Sequence, residues 1–149
     1  MSSERTRIAM STDEVAAFLA AHRKVQLATI NPDGTPHLVT MFYGLRDGRI
    51  AFWTYRRSQK ARNLARDPRL TCLVEGGDGY FELRGVQVRG TAEPVADVAE
   101  VGRLIAATMA EVPADALDGY VAQAAAKRVA YLVRPGRVVS WDHGKLLAT

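Results

Sequence analysis

The 149-residue chain carries 20 Lys and Arg against 16 Asp and Glu, a net charge of +4 at pH 7, and 48% of its residues are hydrophobic. That is the size of one ordinary domain with its own core, and it argues against a two-domain arrangement. The longest apolar runs, Val15 to Ala21 and Val121 to Ala126, fall far short of the roughly 20 residues of a membrane span, and no secretory cleavage pattern follows Arg5 and Arg7, so a soluble cytoplasmic protein is expected.

In chain order, Ser11 and Glu14 form a capping-box pair that opens a helix ending near His22. Val25 to Ile30, the turn Asn31-Pro32-Asp33-Gly34 and Thr35 to Tyr43 read as a hairpin, and Arg46-Asp47-Gly48 turns the chain into a third antiparallel strand, Ile50 to Tyr55. Helix formers from Ser58 to Arg66 stop at Asp67-Pro68, where proline disfavours helical backbone before it. Arg69 to Glu75, a Gly76-Gly77-Asp78-Gly79 turn and Tyr80 to Pro94 predict another hairpin, with Gly85 and Gly90 as bulge or bend positions. Val98, Val101, Ile105 and Met109 fall on one stripe of a helix within Val95 to Met109, and a second helical piece covers Asp115 to Ala126. Arg128 to Val133 and Arg137 to Asp142, around Pro135-Gly136, predict a closing hairpin.

This order predicts a mainly β fold, an antiparallel barrel with peripheral helices, rather than a βαβ sheet. Several strands are apolar on both faces: Val39 and Met41 alternate with Leu38 and Phe42, and Phe52 with Trp53. One face fills the barrel, so the other needs a cover, either a dimer interface or a flat aromatic ligand. The single cysteine, Cys72, lies in the apolar run Leu70 to Val74 and reads as an inert core thiol.

Chemistry concentrates in Tyr55 to Leu64. Ser58 is placed to cap the helix, whose free amides and dipole make an anion site that Arg57 and Lys60 can supplement; a capped surface helix with a solvated basic face fits the same spacing. His37 reads as a strand residue just after a turn. Asp142 and His143 resemble a hydrogen-bonded pair, but adjacent strand positions point to opposite faces, which argues against a catalytic dyad. The sequence contains no Ser-His-Asp constellation, metal cluster or phosphate-loop signature.

Four segments carry a resemblance: Leu27-Ala28-Thr29-Ile30 with Asp33-Gly34-Thr35-Pro36-His37; Ser58-Gln59-Lys60-Ala61-Arg62-Asn63-Leu64 with Asp67-Pro68-Arg69; Arg89-Gly90-Thr91-Ala92; and Trp141-Asp142-His143-Gly144-Lys145-Leu146. Over nearly its whole length the chain resembles the pyridoxamine-phosphate-oxidase-like split β-barrel superfamily, and within it the flavin and deazaflavin (coenzyme F-420) dependent oxidoreductases. The resemblance implies an FMN-binding-like, dimeric split barrel with its cofactor site at the subunit interface. It implies Val39, Thr40 and Met41 beside the cofactor ring and Arg57, Ser58, Lys60 and Asn63 around its phosphate; Trp141 reads either as a cover of the cofactor from the opposite protomer or as dimer packing. The family commonly has a basic residue after its Trp-Asp-His triplet; here Gly144 stands there, with Lys145 next.

Such a protein transfers a hydride between the reduced deazaflavin and a small electron-poor acceptor. Surplus basic charge favours coenzyme F-420, whose acidic tail Arg5, Arg7, Arg56, Arg57 and Lys60 would line, over FMN, the alternative cofactor. A cofactor- or ligand-binding protein without turnover is the competing class; nucleic acid and membrane are not expected partners.

Overall fold

The computed structural model describes residues 3–148. Its seven strands are β1 (Lys24–Ile30), β2 (Pro36–Phe42), β3 (Gly44–Arg46), β4 (Arg49–Tyr55), β5 (Arg69–Gly76), β6 (Arg84–Val95) and β7 (Arg128–Asp142). They form one antiparallel sheet in the order β2-β1-β5-β6-β7-β4-β3. The helices are α1 (Glu4–Ile8), α2 (Thr12–Ala21), α3 (Gln59–Arg66), α4 (Val98–Ala106) and α5 (Leu117–Ala125).

The curled sheet has its core on the inner face, where Val25, Leu27, Phe52, Cys72, Val74 and Val86 are buried together. Because side chains alternate along a strand, the neighbours of these residues point outward. On β4 and β7 the outward Ala51, Ala130 and Leu132 are covered by Val101 and Ile105 of α4 in a second cluster. Cys72 lies in the inner core with no exposure, and burial pushes its thiol up to about 12. An apolar site disfavours the charged thiolate, which makes it an inert packing residue.

The two ends of the sheet meet in the chain. β2 and β3 occupy opposite edges, yet Tyr43 alone separates them. The Tyr43 amide donates to the Arg23 carbonyl at 3.0 Å on the β1 side, while Gly44 pairs with Ala51 on the β4 side. Its buried hydroxyl donates to the Leu19 carbonyl at 2.6 Å, at the end of α2. From this junction β2 and β4 run on without a ladder between them, and the sheet is split there.

Several expectations need correction. The first hairpin forms as β1 and β2, but the third strand pairs with β3 and β7 and not with β2. Tyr80–Glu82 is a 3-10 turn rather than strand: the Glu82 carboxylate accepts from the Gly79 amide at 3.2 Å, and Tyr80 packs on His143. The closing hairpin does not exist. β7 is one long strand, because β6 is long enough to pair with it on both sides of Pro135-Gly136. That dipeptide instead forms a bulge: Arg89 pairs with Arg137 and Gly90 with Pro135, leaving Gly136 as the extra residue. His143–Leu147 is a 3-10 turn, and α1, capped by the Ser3 side chain accepting from Thr6, is a helix that the sequence reading did not anticipate.

At the bulge, a Cβ on Gly90 would stand 2.0 Å from the Arg134 carbonyl oxygen, a backbone atom that cannot move aside cheaply. Gly90→Ala is therefore expected to destabilise the fold by about 1–3 kcal/mol, measured by urea denaturation; an unchanged midpoint would show that the bulge relaxes freely.

Candidate functional site

Where β2 and β4 part, a cavity of about 360 Å³ opens between Met41 and Phe42 on one side and Trp53, Thr54 and Tyr55 on the other. Lys60 of α3, Ile105 at the end of α4, Met109 in the turn after it, Tyr120 of α5 and Arg128 of β7 complete it. None of these residues is acidic. The walls are aromatic and thioether surfaces, with two cations set among them.

The sequence builds this corner locally. After Tyr55 the chain turns, with the Ser58 amide donating to the Tyr55 carbonyl at 3.0 Å, and Ser58 becomes the cap of α3. Its hydroxyl accepts from the Ala61 amide at 3.2 Å and lies 3.1 Å from the Thr54 hydroxyl. The amides of Gln59 and Lys60 precede the first intrahelical bond, so the positive end of the helix is open toward an anion. The Lys60 amine is half-buried at that end, and burial lowers its pKa from the ordinary lysine value. No carboxylate lies within ion-pair distance of it among the described residues.

Asn63, expected at the phosphate, is fully buried one turn further on and its amide is already used. Its nitrogen donates to the Thr29 hydroxyl and the Asn31 carboxamide oxygen, each at 3.0 Å, and its oxygen accepts from Gln59 at 2.8 Å. It therefore positions α3 against β1, and both its N–H donors are engaged within the chain.

The other expected residues divide. Met41 and Lys60 line the cavity and Ser58 stands behind it, 3.1 Å from the lining residue Thr54, whereas Arg57 lies exposed over an adjoining depression of about 460 Å³ shared with Tyr55, Arg56 and Lys127. Val39 and Met41 share the inner face of β2, and Val39 packs on the core; Thr40, between them, points out to solvent. Side chains from all three cannot face one ring from this strand. Trp141 packs over Gly85 near the far end of β7, and the 13 residues from Arg128 span roughly 40 Å of strand. Within one chain it does not reach the cavity.

Arg5 and Arg7 do not join Arg56, Arg57 and Lys60. They lie on α1, which packs against the His143–Leu147 turn and β7. Lys145 is also committed elsewhere: its amine donates to Glu14 at 2.8 Å and to the Ala9 carbonyl at 2.9 Å. That contact, with the Ser11 amide, holds the Glu14 carboxyl down at about 2. Asp142 accepts from the Gly144 amide at 2.9 Å, and the His143 Nδ1 lies 2.8 Å from the Tyr80 carbonyl, so neither side chain serves a dyad.

Sequence reasoning missed the aromatic and cationic wall. The Arg128 guanidinium lies over both the Tyr55 ring, 4.1 Å from its centroid, and the Trp53 ring, at 5.0 Å, and donates to the Ala124 carbonyl at 2.8 Å. Tyr55 and Arg128 are cross-strand partners, a relation visible only once β4 is known to pair with β7. Met109 was legible as a helical stripe position, but as core rather than as cavity lining.

Residues 11–142 match the protein family described as Pyridoxamine 5'-phosphate oxidase. No curated protein is significantly similar in sequence to the chain. Among solved structures, the chain is similar to the conserved hypothetical protein Rv2991 from Mycobacterium tuberculosis, with 41% identity, a TM-score of 0.90 and coverage of 99% of this chain and 94% of that one. It is similar to an F-420 reductase at 27% identity and a TM-score of 0.60, over 82% of this chain and 93% of the other. A heme binding protein from Mycobacterium smegmatis shares 25% identity with a TM-score of 0.63, covering 93% of this chain and 61% of that one.

Trp53 owes its place to α4: a Cβ on Gly102 would stand 2.3 Å from the Trp53 ring. Gly102→Ala is expected to push the indole toward the cavity, which would appear as a shifted Trp emission maximum with the melting temperature lowered by a few degrees. An emission spectrum identical to wild type would show that α4 moves instead of the ring.

Proposed function

The chain belongs to the pyridoxamine 5'-phosphate oxidase family, and on that footing we propose that it is an oxidoreductase holding a flavin-type cofactor in the cavity between β2 and β4, coenzyme F-420 ahead of FMN. The observation that carries this reading is the open, Ser58-capped end of α3 with the unpaired, half-buried Lys60 beside a cavity of aromatic and thioether walls. A phosphate fits the first and a tricyclic ring the second. The likeness to an F-420 reductase supports the deazaflavin, as does the surplus of cations at the mouth, where Arg56, Arg57 and Lys127 surround the adjoining depression.

When bound, such a cofactor supplies a two-electron hydride equivalent. The chain's own part is to bind, orient and exclude water. Lys60, Ser58 and the α3 amides hold the phosphate, with Arg57 at its outer edge. Met41 and Trp53 flank the ring, and the backbone of Val39 and Thr40 runs along the same strand. Small electron-poor molecules are the acceptors in this reading, with proton delivery from solvent; no carboxylate or histidine lines the cavity among the described residues.

The protein works as a homodimer in this proposal. The outward face of β2 is uncovered, with Leu38 65% and Phe42 45% exposed, which suits a second copy of the chain; a Trp141 reaching the ring from that copy is what the family resemblance implies. Binding without turnover is the second reading, supported by the likeness to a heme binding protein.

Fluorescence titration of the apo-protein tests the first reading. Coenzyme F-420 is expected to bind more tightly than FMN, and Lys60→Ala to weaken it roughly 10- to 100-fold through loss of one charge-assisted bond. FMN preference would redirect the assignment to flavin chemistry, and binding of neither would end it. Binding followed by no oxidation of the reduced cofactor with enones or quinones would favour the carrier.

The affinity should also depend on pH. Burial lowers the Lys60 pKa, so the cation that holds the phosphate is lost at a lower pH than for an exposed lysine. Affinity is expected to fall as pH rises and the cation is lost, while Lys60→Ala is flat over that range; equal profiles would take Lys60 out of the phosphate site.

A further inference from the structure

Arg128 is the half-buried cation of the cavity that the phosphate site does not use. Its guanidinium is fixed on three sides, by the Tyr55 face, the Trp53 face and the Ala124 carbonyl. No ion pair among the described residues includes it, and no acidic residue lines the cavity. A partly desolvated charge is costly unless something compensates it, and ring faces with one carbonyl compensate it only in part. Of the five donors of a guanidinium, one is occupied by Ala124; the planar fork that remains matches a carboxylate. It is also pre-organised, so a ligand would not have to order it.

We propose that Arg128 is a second anion-recognising residue of this cavity, one that selects flat conjugated molecules carrying a carboxylate and thereby sets the class of acceptor. The proposal deepens the function proposed above and rests on that reading for the word acceptor; the binding preference itself stands on the geometry alone. Lys60, at the start of α3, and Arg128, at the start of β7, enter the cavity from different elements. Each can therefore be substituted without altering the element that carries the other. The carboxylate takes the guanidinium edge, and the conjugated body lies along Tyr120, Met109 and Phe42, the lining surfaces that Arg128 leaves uncovered. An acidic residue in the lining would oppose such a ligand; there is none.

The test is calorimetric titration of the full chain with 2-naphthoate and with its methyl ester, which differ in charge and share their ring. The wild-type protein is expected to bind the acid at least tenfold more tightly than the ester. Arg128→Gln, which keeps a donor for Ala124 but not the charge, should erase that preference and leave ester affinity unchanged. Arg128→Lys should retain part of it, as a point charge without the fork, and serves in place of Arg128→Gln if thermal melting shows the glutamine variant unfolded. Lys60→Ala should keep the preference in full.

Equal affinity for acid and ester in the wild type, absence of binding by either, a preference that survives Arg128→Gln, or one that disappears in Lys60→Ala would each overturn the proposal. A parallel titration with coenzyme F-420 and FMN separates the two sources of anion. Unchanged cofactor affinity in Arg128→Gln is expected, whereas a loss as large as that of Lys60→Ala would assign Arg128 to the cofactor and overturn it. Because the naphthoate readout needs no cofactor, failure of the flavin assignment leaves this result legible on its own.

Discussion

One buried tyrosine holds the arrangement together. Tyr43 sits where a single stretch of backbone leaves one edge of the sheet and joins the other, and its hydroxyl is tied to the end of α2. The bond fixes where the bend occurs, and the buried ring leaves the bend no room to slide. Moving it by one residue would exchange the inner and outer faces of β2, turning Val39 and Met41 out and Leu38 and Phe42 in. The cavity exists because the two strands that leave this junction have no ladder between them, so its position follows from that of Tyr43.

Around that opening, charge and aromatic surface are arranged in a consistent sense. α3 presents its positive end, Lys60 stands unpaired beside it, and Arg128 is clamped on two rings. Opposite charges elsewhere are paired at the surface, as in Arg46 with Glu100 and Arg49 with Glu93. Surface pairs of that kind contribute little to stability. The unpaired cations at the cavity are more informative, since a half-buried charge without a partner is an arrangement that ligand binding completes. Asn63 shows the complementary strategy: both its donors and one acceptor position are engaged inside the protein, and what it provides to the site is the rigid seat of α3 on β1.

Much of this was legible beforehand where local chemistry decides structure. The Ser11 and Glu14 capping box, the Ser58 cap and the Asp-Gly turn between β1 and β2 all act within a few residues, and each formed as read. The failures share a cause: they depend on partners distant in sequence. Pro135-Gly136 has the local signature of a turn, but β6 offers a ladder on both sides of it, and pairing prevails over the turn. Tyr80 and Phe81 have strand-like composition, yet the Glu82 carboxylate and the nearby His143 hold them in a 3-10 turn. The candidate site divides in the same way: the Ser58 cap and the place of Lys60 at the start of α3 were legible from capping logic, while the cavity wall of Trp53, Tyr55 and Arg128 required the β4–β7 pairing.

The position of β7 bears on how the chain acquires its fold. β4 has only the short β3 and the later β7 as ladder partners, so Tyr55 must wait for Arg128 before the sheet can close on that side. β6 and β5 can zip as soon as they exist, being neighbours in sequence and in space. Closure therefore pays its loop entropy late and in one step, across a segment that includes α3, two strands and both α4 and α5. During synthesis, β4 would have only the short β3 beside it and its other edge would stay open until β7 emerges, and that interval is when the chain is most exposed to mispairing with another copy of itself.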